Sequence, residues 1–284
     1  MTGVSRRKII TSTATAGAVT AGLIESSVGQ APKTADTTDP AGKRDWWNKE
    51  FRTLVTLGES TTAGGWASHR ERAWAHLLPD LINDFQRIPV QLVNVGIGAN
   101  VISTQSPSYE HSGKPAALER LDQHVIRHKP DLLVVSYGLN DARGGTQPDR
   151  FAENMRKLID HVRTRIQPLI VLLGPYYMTA FDQFGPHWNK ATLQQFHVFN
   201  EVTSQVAANK DCLFVDLLSA YGNANWLVHH DAVHANDLGH RIVANKVFEV
   251  LASNCSGLAR ETRELEKHIP PWRDESVLRR SVEN

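Results

Sequence analysis

Hydrophobic residues along the chain fall into two rhythms. Five short runs, Leu54–Leu57, Val90–Val95, Asp131–Ser136, Leu169–Leu173 and Cys212–Val215, are dominated by apolar residues. Between them lie longer stretches in which apolar positions recur every three or four residues. The runs predict strands and the stretches predict crossover helices. One helix is expected over Glu71–Phe85, with Trp74, Leu77, Leu78 and Leu81 on one face. A second should start near Pro115 and carry Leu118, Leu121, Val125 and Ile126; a third carries Phe151, Met155, Leu158, Ile159 and Val162. A fourth starts near Lys190 with Phe196, Phe199, Val202 and Val206 inward, and a last one near Asn236 carries Val243, Val247 and Val250. Strands separated by crossover helices give a mostly parallel sheet. The expected architecture is a three-layer α/β/α, doubly wound, flavodoxin-like sheet of about five parallel strands, in which ligands bind at the carboxyl ends of the strands.

Composition divides the chain into four regions. Residues 1–30 begin with Ser5-Arg6-Arg7-Lys8 and continue into a modestly apolar stretch, the pattern of a twin-arginine-type export signal. They imply a periplasmic or extracellular destination, or a membrane anchor if the segment stays uncleaved; a plain basic tail is the simpler alternative. Residues 31–51 read as a linker, 52–255 as the folded domain and 256–284 as a charged tail lying on the surface. With 31 basic and 30 acidic residues, no broad field favours nucleic acid. Nor does the body of the chain hold an apolar run of the length a spanning helix needs. Cys212 and Cys255 fall at the same expected end of the sheet, where either a disulfide or two free thiols would fit.

Four segments end at the carboxyl edge of the predicted sheet: Gly58-Glu59-Ser60 after the first strand, Asn94–Asn100 after the second, Gly138-Leu139-Asn140-Asp141 after the third, and Asp231–His234 after the fifth. Singly, each has a plainer reading. Ser60 could cap a helix, Asn140 could make a turn, and Asp231 with His234 could cap the last helix. Together they can do acyl chemistry. A serine hydroxyl needs a base to take its proton, an imidazole can be that base, and a carboxylate three residues before it can fix its tautomer. A Gly-x-Ser-x-Gly elbow is not the source, because position 62 is Thr62. His229, His230, Asp231 and His234 also form a candidate zinc set; no further ligand cluster accompanies them, so no metal and no cofactor is expected.

The ordered set resembles the blocks of the SGNH, or GDSL-type, hydrolases, over roughly residues 52–253. The resemblance implies a serine esterase acting through an acyl-serine intermediate, with Ser60, Asp231 and His234 catalytic and an oxyanion hole formed by Ser60, Ala99 and Asn140. Two positions depart from the family pattern. Glu59 replaces an aspartate, expected to be a local packing change, and Ala99 stands where the oxyanion glycine is usual, with Gly98 just before it. Substrates implied are short-chain or carbohydrate O-acetyl esters; a lipase, thioesterase or acyltransferase of the same family, or a non-catalytic carbohydrate binder on this scaffold, are the alternatives. Gly98, Trp66 and Trp188 are candidate pocket residues. Tyr109, Tyr176, Tyr177 and Trp226 share the same edge, and Met178–Asn189 is a candidate partial lid.

Overall fold

The computed structural model describes residues 43–269 and 274–280, so the expected export signal and the linker up to residue 42 lie outside the described residues. Five strands form one parallel sheet: β1 (Thr53–Gly58), β2 (Gln91–Asn94), β3 (Leu132–Ser136), β4 (Leu169–Leu173) and β5 (Leu213–Val215), in the order β2-β1-β3-β4-β5. This is the flavodoxin-like order, and it reverses between β1 and β3. The helices are α1 (Ser60–Ala63), α2 (Trp74–Asn83), α3 (Leu121–His124), α4 (Leu139–Arg143), α5 (Pro148–Arg163), α6 (Leu193–Asn209), α7 (Leu217–Tyr221), α8 (Asp237–Asn254), α9 (Arg260–Leu265) and α10 (Ser276–Arg280). Helix α2 packs against α8, and α5 against α6. None of the helices among the described residues is long and apolar enough to cross a membrane.

Strand burial follows position in the sheet. Every residue of β3 and β4 is buried, as central strands covered on both faces require. Each such Leu, Val or Ile side chain contributes roughly 1.5–3 kcal/mol on burial. The edge strand β2 is shorter than the run Val90–Val95 and only half-buried, because it has one neighbour and lies at the margin of the helical cover.

Several predicted elements are corrected. The first crossover helix starts at Trp74 instead of Glu71: residues 70–72 form a 3-10 turn, and Ala73 is extended. The helix expected from Pro115 is broken into α3 and two 3-10 turns, Ala117–Glu119 and Ile126–His128. The cause is Arg120, whose side chain turns into the core and donates to Val95 O, Gly58 O, Asn100 Oδ1 and Tyr137 Oη. Its backbone, at φ −121° and ψ 8°, leaves the helical region to let it do so. The helix expected from Lys190 begins at Leu193, capped by Thr192 Oγ1, which accepts from Gln195 N. The loop through Trp226 contains α7 and a further 3-10 turn.

Residues 45–51, grouped with the linker on composition, pack against the domain. Phe51 is fully buried, Trp47 stacks on it, and Trp46 N donates to Asn254 O. The chain just past Cys255 answers them: Gly257 N donates to Trp47 O, Ser256 bonds Asp45, and Leu258 is buried. Both cysteines are free and buried, and burial pushes their thiols up, Cys212 to about 11 and Cys255 to about 12.

Candidate active site

The turn after β1 delivers Ser60. Gly58 has no room for a side chain, since a Cβ there would lie 2.6 Å from Ser136 O and 2.3 Å from Thr62 Oγ1. This close approach lets β1 run tight against β3 before the chain turns into α1 with Ser60 at its start. Ser60 Oγ lies 2.8 Å from His234 Nε2, and His234 Nδ1 lies 2.5 Å from Asp231 Oδ2.

The second half of that chain of contacts is made by the loop between Val228 and Ala235, closed by an antiparallel bridge between those two residues. Within it Asp231 Oδ1 accepts from Val233 N at 3.0 Å and His234 N at 3.1 Å, so the other oxygen is left to face the imidazole. Burial is the largest influence on the Asp231 carboxyl and works against its charge, but these N–H donors and His234 outweigh it and hold it below the usual carboxylate range. Burial likewise dominates at His234 and lowers its pKa; Asp231 opposes the shift, while Arg143 and His229 add to it. The ring is therefore neutral near pH 7, with Nε2 able to accept a proton. The indole of Trp66 lies flat on it, centroids 3.5 Å apart and planes 6° from parallel, covering one face from water.

Ser60, Ala99 and Asn140 line one cavity. The backbone N–H groups of Ser60 and Ala99 meet no acceptor among the described residues. Asn140 Nδ2 donates to Asn100 O at 3.1 Å and keeps a second hydrogen, while its Oδ1 accepts from Arg143 Nη1 at 3.3 Å. The backbone of this turn is held by Glu59, whose buried Oε1 accepts from Gly138 N at 3.3 Å and Asn140 N at 3.0 Å. Glu59 thus ties the end of β1 to the turn after β3, a bracing role beyond the packing change expected of it. Burial, then the neighbouring Asp141, push its pKa well above the carboxylate range. Ala99 sits at φ 53°, a left-handed conformation in which alanine carries strain that glycine would not.

Ser60, Trp66, Gly98, Ala99, Asn140 and His234 line a cavity of about 330 Å³, completed by Arg143, Phe184 and Trp188. All the sequence-nominated site and pocket residues except Asp231, which stands behind His234, reach it. Phe184 and Trp188 come from the segment Met178–Asn189, which is tied down at Thr179 N to Ala232 O and Ser108 Oγ to His187 O. Tyr109, Tyr176, Tyr177 and Trp226 do not line it: Tyr176 is buried against Ser136, and Trp226 points to solvent, 73% exposed. His229 and His230 lie ring to ring at 3.9 Å, with His229 Nδ1 3.4 Å from Asp231 Oδ1. Arg143 and Phe184 escaped the sequence reading. Arg143 had one available signal, its place three residues after Asn140 on a common helical face.

The sequence pattern of the GDSL-like lipase/acylhydrolase family matches residues 56–242, from β1 into α8. The chain belongs to this family. Its relatives include an arylesterase of Vibrio mimicus, 28% identical over 110 residues that make up 39% of this chain and 48% of that one. An acetylxylan esterase of Geobacillus stearothermophilus is 24% identical over 56% of this chain and 71% of its own length. The chain thus spans about half the length of the arylesterase it matches. A lipase/acylhydrolase of Enterococcus faecalis shares the fold of the GDSL-like domain, with a TM-score of 0.57 and 20% identity over 71% of this chain and 96% of that one.

Proposed function

We propose that the protein is a serine esterase that hydrolyses short-chain acyl esters, carbohydrate O-acetyl groups among them, through an acyl-Ser60 intermediate. The observation that carries this reading is the unbroken contact chain Ser60 Oγ, His234, Asp231, at 2.8 and 2.5 Å, opening into the cavity that Ala99 and Asn140 also line. Ser60 Oγ attacks the ester carbonyl while His234 Nε2 takes its proton, and Asp231 stabilises the imidazolium. The tetrahedral oxyanion accepts from Ser60 N, Ala99 N and Asn140 Nδ2. Collapse breaks the bond to the alkoxy oxygen, which leaves as the alcohol with the proton from His234. Water then attacks the acyl-serine, giving its proton to His234 and its hydroxyl to the acyl carbon, and Ser60 Oγ recovers the proton as the acid departs. A cavity of about 330 Å³ supports small acyl groups, and the likeness to an acetylxylan esterase supports acetyl esters of sugars.

A fluorophosphonate probe is expected to label the protein at Ser60 and not the Ser60→Ala variant, with turnover highest on acetyl to butyryl esters. Labelling elsewhere, or none, would remove the nucleophile from the reading; a maximum on long acyl chains would remove the substrate class.

A further inference from the structure

Arg143 is an unusual wall for a cavity of this kind. The residue is only 6% exposed, yet it lines the space that Ser60 and Asn140 face. A guanidinium carries five N–H donors. Among the described residues one of them is used, Nη1 to Asn140 Oδ1 at 3.3 Å, and Nε is buried with no partner at all. The carboxylates nearby are committed elsewhere. Glu59 is spent on the N–H groups of Gly138 and Asn140, Asp141 on Ile102 N, and Asp231 on His234 and its own turn. Glu59 and Asp231 favour its charge from a distance, but neither pairs directly with the Arg143 guanidinium among the described residues. What does approach it is aromatic: the Phe184 ring at 4.9 Å and the Trp188 ring at 6.0 Å from Cζ, both in the same cavity wall.

Burying a cation without a directly bonded anion is costly, as the burial-lowered pKa of Arg143 reflects, and the cost falls when an anion arrives that can accept from two donors at once. A carboxylate matches that fork in shape and charge. Arg143 is itself 6% exposed, so water competes little at its guanidinium and the attraction is strengthened by the low local dielectric. A role confined to holding Asn140 would need one N–H, which leaves the remaining donors and the desolvated charge without a purpose.

We propose that Arg143 makes this pocket selective for esters that carry a carboxylate close to the scissile carbonyl. The proposal rests on the esterase reading above and names its substrate class. The carboxylate belongs either to the acyl part, as in a dicarboxylic acid hemiester, or to the alcohol part, as in an acylated hydroxy acid.

Two matched substrate pairs separate these cases with the full-length protein: ethyl hydrogen succinate against ethyl butyrate, and O-acetylglycolate against ethyl acetate. In one pair kcat/KM is expected to favour the anionic member by at least about tenfold, the discrimination that a charge-assisted hydrogen bond supplies. Arg143→Gln should abolish that ratio and Arg143→Lys should keep part of it. Because Arg143 also touches Asn140, absolute rates are expected to fall in both variants; the ratio between pair members is the readout. Hydrolysis of the neutral esters with no anionic preference in either pair overturns this proposal and leaves the esterase intact, as does a preference that survives Arg143→Gln. Absence of turnover on all four esters together with no fluorophosphonate labelling overturns the esterase and the proposal with it. Should the variants fail to fold, protection of wild-type Ser60 from the fluorophosphonate decides: succinate should protect at concentrations at least about tenfold below those of 1,4-butanediol, and equal protection overturns the proposal.

Discussion

At the scale of single residues, the oxyanion donors differ in kind, and the difference is measurable. Asn140 offers a side-chain amide whose Oδ1 is held by Arg143 and whose backbone N is held by Glu59. Ala99 offers a backbone N–H, which a change of side chain does not remove. Asn140→Ala is therefore expected to lower kcat on a 4-nitrophenyl ester by about two to three orders of magnitude, the usual effect of losing one such donor. Ala99→Gly should stay close to wild type, because glycine adopts φ 53° without strain and keeps the N–H. A loss in Ala99→Gly comparable to that in Asn140→Ala would show that the alanine methyl, and not the N–H alone, shapes the site. The pH profile reports the third partner. Burial lowers the His234 pKa from 6.5, so the base stays unprotonated further into acid than an ordinary imidazole. The acid limb of kcat/KM is expected below pH 6.5, with activity rising as pH is raised through it. A limb at or above that value would contradict the neutral resting state.

At the scale of elements, periodicity located the helices and missed how their ends are set. Asn236 caps α8: its Oδ1 accepts from Gly239 N at 3.0 Å, and its Nδ2 donates to Trp226 O at 2.7 Å. The cap lies two residues after His234 and so joins the catalytic loop to the last helix. Asn236→Ala is expected to cost about 1 kcal/mol in a denaturant titration, the usual loss for an N-cap. An unchanged midpoint and slope would show that the cap contributes nothing. The broken helix around α3 is the opposite lesson. Leu118, Leu121, Val125 and Ile126 carry a helical rhythm, but the rhythm says nothing of Arg120, which bonds the ends of β1 and β2 and the tyrosine after β3. Four hydrogen bonds in the core outweigh the propensity of one helical turn.

For the whole molecule, a buried carboxyl links stability to pH. Asp141 is fully buried and its pKa is raised from 3.8 to about 7, with burial the main cause and the Ile102 N–H opposing it. A raised folded-state value means that the folded chain holds a proton the unfolded chain has lost. Stability from the neutral form is complete below the unfolded value of 3.8 and is lost as pH rises through about 7. The melting temperature is expected to fall across that window, and Asp141→Asn should flatten the fall; a slope unchanged in the variant would assign it to other groups. The apolar runs and their spacing determined a parallel doubly wound sheet, and motif order along the chain nominated Ser60, Ala99, Asn140, Asp231 and His234, because strand ends in such a sheet share one edge whatever the side chains around them. Trp66 lying flat on His234, Glu59 bracing the turn after β3, Arg143 buried beside Asn140 and residues 45–51 packing on the domain were decided by tertiary structure alone. Periodicity records which face of an element is apolar. It carries no record of which polar group from a distant segment will be left facing a given donor once that face is buried.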